Sequence, residues 1–130
     1  MLAANWKKGL EMGGKTKKSF EVVFFETVNG RQPVRDFILE LIKQDKKELG
    51  ADIRSVQMGF PMGLPLVRKI AAGLWEIRSE LKDGICRVFF TTAEQNIVLL
   101  HAFTKKSKKT PLNELSTAIE RLKDFKKMQK

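Results

Sequence analysis

Residues 74–111, LWEIRSELKDGICRVFFTTAEQNIVLLHAFTKKSKKTP, decide the fold. They read as three consecutive strands carrying two arginines, a histidine and a basic tail. The turn between the first two contains Asp83-Gly84, a dipeptide suited to a tight hairpin because both central residues of that turn take positive φ. Such a turn pairs Lys82 with Ile85, Glu80 with Arg87, Arg78 with Phe89 and Glu76 with Thr91. Alternation then sends Trp75, Ile77, Leu81, Cys86, Val88 and Phe90 to one face, and Glu76, Arg78, Glu80 and Arg87 to the other. One face is thus a core. The opposite face presents two guanidiniums on rigid backbone, which suits the holding of a phosphodiester.

Upstream of this meander the pattern changes period. Residues 20–25 (FEVVFF) read as a first strand, ended by Asn29-Gly30. Pro33 fits a helix first turn, and Val34, Phe37, Ile38, Leu41 and Ile42 fall at the i, i+3, i+4, i+7, i+8 spacing of one buried helix face. Asp45 followed by Glu48 has the form of a capping box opening a second helix, with Leu49, Ile53 and Val56 as its apolar positions. Gly50 inside that helix costs about 1 kcal/mol relative to alanine. Two glycines and two prolines make residues 59–65 (GFPMGLP) a loop, and residues 66–70 a short strand. Downstream, Thr110-Pro111 opens a last helix with Leu115, Ile119, Leu122 and Phe125 as its stripe. The fold class is α+β: a small antiparallel sheet in the order β-α-α-β-β-β-β-α, with two N-terminal helices and one C-terminal helix. Residues 1–18, rich in glycine and lysine, read as a flexible basic arm, with Met12 an alternative start; residues 19–130 form one domain.

At 130 residues and 42% hydrophobic content, the chain has the material for one core. Its 25 lysines and arginines against 15 aspartates and glutamates leave a net charge of +10, which speaks of partners rather than fold. RNA, DNA or a masking acidic protein are the candidates. One cysteine and one histidine exclude an intramolecular disulfide and cysteine-rich zinc sites, and no carboxylate cluster suggests a metal. No apolar run approaches the roughly 20 residues that span a bilayer, and residues 1–20 lack the apolar stretch of a signal peptide. The chain reads as cytoplasmic, with no membrane association and no cofactor.

Cations gather in the C-terminal half. Arg68 and Lys69 lie on the short strand, Arg78 and Arg87 on the hairpin, and Lys105, Lys106, Lys108 and Lys109 beyond the last strand. Arginine holds phosphate oxygens in a two-pronged grip, while lysine offers a mobile point charge. The bland alternative for Arg78 and Arg87 is a set of exposed cross-strand ion pairs with Glu76 and Glu80, each contributing about 0–1 kcal/mol. For the lysine run it is a solvated turn. His101 sits in an apolar strand, where a lone histidine is more often a satisfied core residue than a catalyst, and the loop before it leaves its face open. Phe103 has the choice between stacking on a base and packing in the core. Nucleophile elbows and Gly-rich phosphate loops are absent.

Taken together, residues 63–70 (GLPLVRKI), 73–78 (GLWEIR), 87–90 (RVFF), 97–106 (IVLLHAFTKK) and 109–111 (KTP) resemble the RelE/HigB toxins of bacterial toxin–antitoxin pairs, in their phage-derived HigB-like branch. The resemblance covers residues 20–125. It implies a RelE-like fold and a small toxin that enters the ribosomal A site and cleaves mRNA without a metal, by attack of the 2′-hydroxyl on the adjacent phosphate. A cyclic phosphate and a 5′-hydroxyl end result. It also implies a cognate antitoxin, with an acidic segment and a DNA-binding domain, besides the ribosome and mRNA as partners.

Such chemistry needs a base, an acid and a group to stabilise charge on phosphorus. With one histidine present, the resemblance casts Arg78 and Arg87 as catalytic phosphate clamps and Lys105 or Lys106 as the proton-transfer group. Arg68, Lys69, His101, Lys108 and Lys109 are then substrate contacts. Many ribosome-dependent relatives carry a tyrosine or a histidine cluster near the C-terminus; this chain has no tyrosine. Two other readings stand beside this one: a ParE-like toxin that inhibits gyrase by binding, and a non-catalytic basic domain held to nucleic acid by charge alone.

Overall fold

The computed structural model describes residues 19–106 and 109–129; the expected arm at residues 1–18 and Lys108 lie outside them. The element order is β1 (Glu21–Phe24), α1 (Pro33–Leu39), α2 (Lys43–Gly59), β2 (Val67–Ala71), β3 (Leu74–Leu81), β4 (Gly84–Ala93), β5 (Asn96–Lys105) and α3 (Leu112–Met128). The α+β class and the element order agree with the sequence reading. The strands form one five-stranded sheet ordered β1-β5-β4-β3-β2. It is mostly antiparallel, but β1 runs parallel to β5, with Val22 opposite Ile97. No helix among the described residues is long and apolar enough to cross a membrane.

Helices cover both faces of the sheet. Against one face, α1 and α2 bury Val34, Ile38, Leu49, Ile53 and Val56 on Ile77, Val88, Phe90, Ile97 and Leu99. Against the other, α3 buries Ala118 and Leu122 on Leu74, Phe89, Val98, Leu100 and Phe103. Fully burying one such aliphatic or aromatic side chain contributes about 1.5–3 kcal/mol, so each face is a core in its own right. This corrects the expectation of one open polar face. The sequence masks the second core because its apolar residues share alternating positions with Glu76, Arg78 and Arg87.

Alternation is also broken within β5. Phe89 faces His101 while Phe90 faces Leu99, so Leu100 is the extra residue of a β-bulge. The bulge lets Val98, Leu100 and Phe103 all join the α3 side. Across from it, His101 stacks on Phe89, with ring centroids 6.2 Å apart and planes 4° from parallel.

The β3–β4 register differs from the expected one by two residues. Arg78 lies opposite Arg87, Glu80 opposite Ile85 and Leu81 opposite Gly84, so the turn is made by Lys82 and Asp83. An even shift leaves every side chain on its expected face but changes each partner. Two local contacts fix this register. The Lys82 backbone N–H donates to the Asp45 carboxylate at 3.2 Å. Gly84, at φ +145°, lets the Lys105 carbonyl come within 2.9 Å of where a Cβ would stand. Asp45 is therefore a buried tertiary acceptor, not a cap: α2 begins two residues before it, at Lys43, with no side-chain cap. The first helix stops at Leu39, which leaves Ile42 52% exposed instead of buried.

Gly84→Ala should therefore destabilise the fold by on the order of 1–3 kcal/mol, through positive φ and the clash with the Lys105 carbonyl. Urea unfolding checks this, and a midpoint equal to that of the parent protein contradicts the assigned register.

Candidate functional site

Three arginines surround one carboxylate. Glu76 and Arg87, on the α3 side of β3 and β4, are both completely buried, with Arg87 Nε 3.5 Å from Glu76 Oε2. Arg68 lies directly across from Glu76 on β2, its Nε 4.0 Å from Glu76 Oε1. Thr110, just before α3, donates its hydroxyl to Glu76 Oε2 at 3.1 Å. Three strands and the lead-in to α3 thus meet at one acid. Behind it the Arg87 guanidinium lies 6.0 Å from the Phe103 ring centroid, within cation–π range. Burial lowers the Arg87 pKa from 12.5; Glu76 pulls it back up while Arg78 and Arg68 push it down further. The three cations therefore repel one another at close range.

Arg78 stands at the open end of this cluster. It is the direct cross-strand partner of Arg87, and like charges so placed disfavour the pair unless an anion lies between or beside them. Glu76 fills that role for Arg87 and Arg68. Arg78 is half-buried, and its Nε is buried with no hydrogen-bond partner. It opens into a cavity of 370 Å³ lined by Glu48, Asp52, Pro65, Leu66, Glu80 and Ile85. Beyond it, Lys105 pairs with Ile85 at the end of the sheet. Lys106 shares a second cavity with Glu80, Lys82 and Asp83. Both lysines are exposed.

His101 does separate work. Its Nε2–H donates to Glu114 Oε1 at 2.6 Å, and its Nδ1 accepts from Arg121 Nη1 at 3.1 Å. Arg121 also donates to the Leu100 carbonyl at 3.0 Å. Both partners lie on α3, seven residues apart, so the histidine ties that helix to the sheet. Burial lowers its pKa from 6.5, the Glu114 hydrogen bond opposes the shift, and Arg121 reinforces it. The ring is a neutral, satisfied link with 15% of its side chain exposed. Burial pushes the Cys86 thiol up to about 12, so it stays protonated and is no nucleophile. Among the described residues no three histidine, cysteine, aspartate or glutamate side chains are placed to hold a metal ion.

Of the residues singled out in the sequence, the structure gathers Arg68, Arg78 and Arg87. Lys109 joins their edge by lining a cavity of 650 Å³ with Arg68, Ile70, Thr110, Pro111, Leu112 and Leu115. Lys105 and Lys106 sit at the open end. Lys69, opposite Trp75, lies on the other face of the sheet from Arg68, away from the cluster. Arg87 is not presented to solvent, because α3 and Thr110 cover its side of the sheet. The organising residues Glu76, Thr110, Glu114 and Arg121 carried little signal in the sequence. Glu76 had been read as half of an exposed pair, and only the seven-residue spacing of Glu114 and Arg121 hinted that both face one target.

Residues 36–123 match the family described as Phage derived protein Gp49-like (DUF891). No curated protein matches the chain.

Two outcomes follow from this geometry. Arg87→Ala strands Glu76 in the core and should destabilise by about 3–5 kcal/mol, whereas Arg78→Ala removes a half-exposed cation and should stay within about 0.5 kcal/mol of the parent; urea unfolding of both separates them, and equal losses contradict the burial difference. The unfolded chain protonates His101 near pH 6.5 and the folded chain resists, so stability held above that pH is lost as pH falls below it. Unfolding midpoints at about pH 7.5 and about pH 5.5 should differ more for the parent than for His101→Gln; equal differences contradict the neutral link.

Proposed function

We propose that this chain, which belongs to the phage-derived Gp49-like family within the RelE/ParE-like toxin superfamily, is the toxin of a toxin–antitoxin pair and a ribosome-dependent mRNA endonuclease. The observation that carries this reading is the cluster of Arg68, Arg78 and Arg87 around Glu76. One carboxylate balances one cation, so the cluster retains an excess of two positive charges. That excess faces the exposed Lys105 and Lys106, which fits a phosphodiester and the further negative charge that phosphorus gains during transfer.

In this reading the mRNA 2′-oxygen forms a bond to the adjacent phosphorus and the bond from phosphorus to the 5′-oxygen breaks. The products are a cyclic phosphate and a 5′-hydroxyl end. Lys105 or Lys106 takes the proton from the 2′-hydroxyl in its neutral form, helped by the surrounding cations that disfavour its charged form, and the 5′-oxygen gains a proton as it leaves. Arg78 contacts the phosphate oxygens. Arg87 is a positioning residue that acts through Glu76 and through its charge on Arg78. Arg68, Lys108 and Lys109 steer the backbone of the strand, while His101 holds α3 in place. The antitoxin covers the same surface: the cavity between Arg68 and Lys109, with Ile70, Leu112 and Leu115 as its apolar lining, suits an acidic amphipathic segment.

The ParE-like alternative draws on one observation, the engagement of His101 by Glu114 and Arg121 in a chain without tyrosine. Inducible expression in a bacterium, with primer extension on an abundant mRNA, separates the two. Growth arrest with new in-frame mRNA ends is expected, and Arg78→Ala should slow cleavage by about 10²–10³-fold, the size found for one preorganised donor to developing charge. Arrest without new ends would move the assignment to gyrase inhibition.

A further inference from the structure

The cavity beside Arg78 is not a phosphate seat. Three of its lining residues, Glu48, Asp52 and Glu80, are carboxylates, and they repel an anion. It is not a cation seat either, because the buried Arg78 Nε points a donor with no partner into the same region. A ligand that satisfies both walls carries acceptors on one edge and donors on another, with no net charge. Pro65, Leu66 and Ile85 supply apolar surface for a flat body, and 370 Å³ lies within the roughly 300–1,000 Å³ of small-molecule sites.

We propose that the Arg78 cavity is a base pocket that selects guanine. Guanine places O6 and N7 side by side as acceptors, the edge that a guanidinium grips with two hydrogen bonds. Its opposite edge offers N1–H and N2–H side by side as donors, which suit a carboxylate. Adenine and cytosine set an acceptor beside each donor on their pairing edge and turn a lone pair toward the acids, while uracil holds a single N–H between two carbonyls. Asp52 is held in place by the Ser79 hydroxyl, which donates to Oδ2 at 2.5 Å; Glu48 and Glu80 are exposed at the rim.

The inference rests on the RNA-directed reading above and deepens it. Arg78 stands between this cavity and Arg87, so a nucleotide with its base in the cavity has its phosphate beside the arginine cluster. The pocket then sets which nucleotide borders the scissile bond.

The test is titration of the full chain with 5′-GMP and with 5′-UMP, followed by nuclear magnetic resonance, since the two share a phosphate and differ in the base. GMP should bind tighter than UMP by about tenfold or more, the discrimination of one good two-pronged contact. Glu48→Gln and Glu80→Gln, both at exposed positions, should each bring GMP toward the UMP value. Equal binding of the two nucleotides, binding of neither, or a GMP preference indifferent to both variants overturns the pocket. This readout needs no cleavage. A chain that cuts mRNA yet binds both nucleotides equally loses only the pocket, and a chain that prefers GMP through Glu48 but cuts no mRNA keeps the pocket and loses the nuclease assignment.

Discussion

The buried pair of Glu76 and Arg87 is the constraint on which this structure turns. Both side chains are wholly removed from water, and desolvating two charges offsets most of their attraction, so such a pair is a weak source of stability on its own. What it does is place things. Glu76 ties β2 through Arg68, β4 through Arg87 and the lead-in to α3 through Thr110. Pulling one charge away would leave its partner stranded in the core. The four contributing segments are therefore locked to one another, and the surface they enclose inherits that rigidity.

The register of the β3–β4 hairpin decides what that surface carries. Shifted by two residues from the Asp83-Gly84 turn, the hairpin sets Arg78 against Arg87 instead of Phe89. Like charges face each other across the ladder, with Glu76 shielding the buried member and not the half-exposed one. Arg78 is consequently the cation most in need of an external acceptor. The exposed Lys105 and Lys106 extend the positive field past it, and the acid-lined cavity gives its unpartnered Nε a neighbourhood unlike the rest of the basic surface.

Much of this was legible in the sequence, and the failures share a cause. Strand alternation placed Trp75, Ile77, Cys86 and Val88 on one face and Glu76, Arg78 and Arg87 on the other because period 2 survives an even register error. The helix α1 was found from the spacing of Val34 and Ile38. The Asp45–Glu48 capping box failed because Asp45 was claimed by the Lys82 N–H, 37 residues away, a contact that no local pattern announces. The open polar face failed for a similar reason. Phe89, Leu100 and Phe103 belong to a second core whose existence depends on α3 folding back over the sheet, and charged residues at alternate positions hid it. His101 could not be assigned a face because a bulge at Leu100 changes the parity of β5.

A buried ion pair that contributes little stability persists for what it positions, and that is the central claim here. Growth arrest on induction of the double variant Arg87→Met, Glu76→Leu tests it most directly, with urea unfolding alongside to confirm the fold. Apolar replacement of a buried pair at similar volume is often neutral or stabilising, so the double variant should fold as stably as the parent yet fail to arrest growth, because Arg78 and Arg68 lose the charges that set their positions. A folded double variant that still arrests growth would contradict the claim and leave the pair a packing feature.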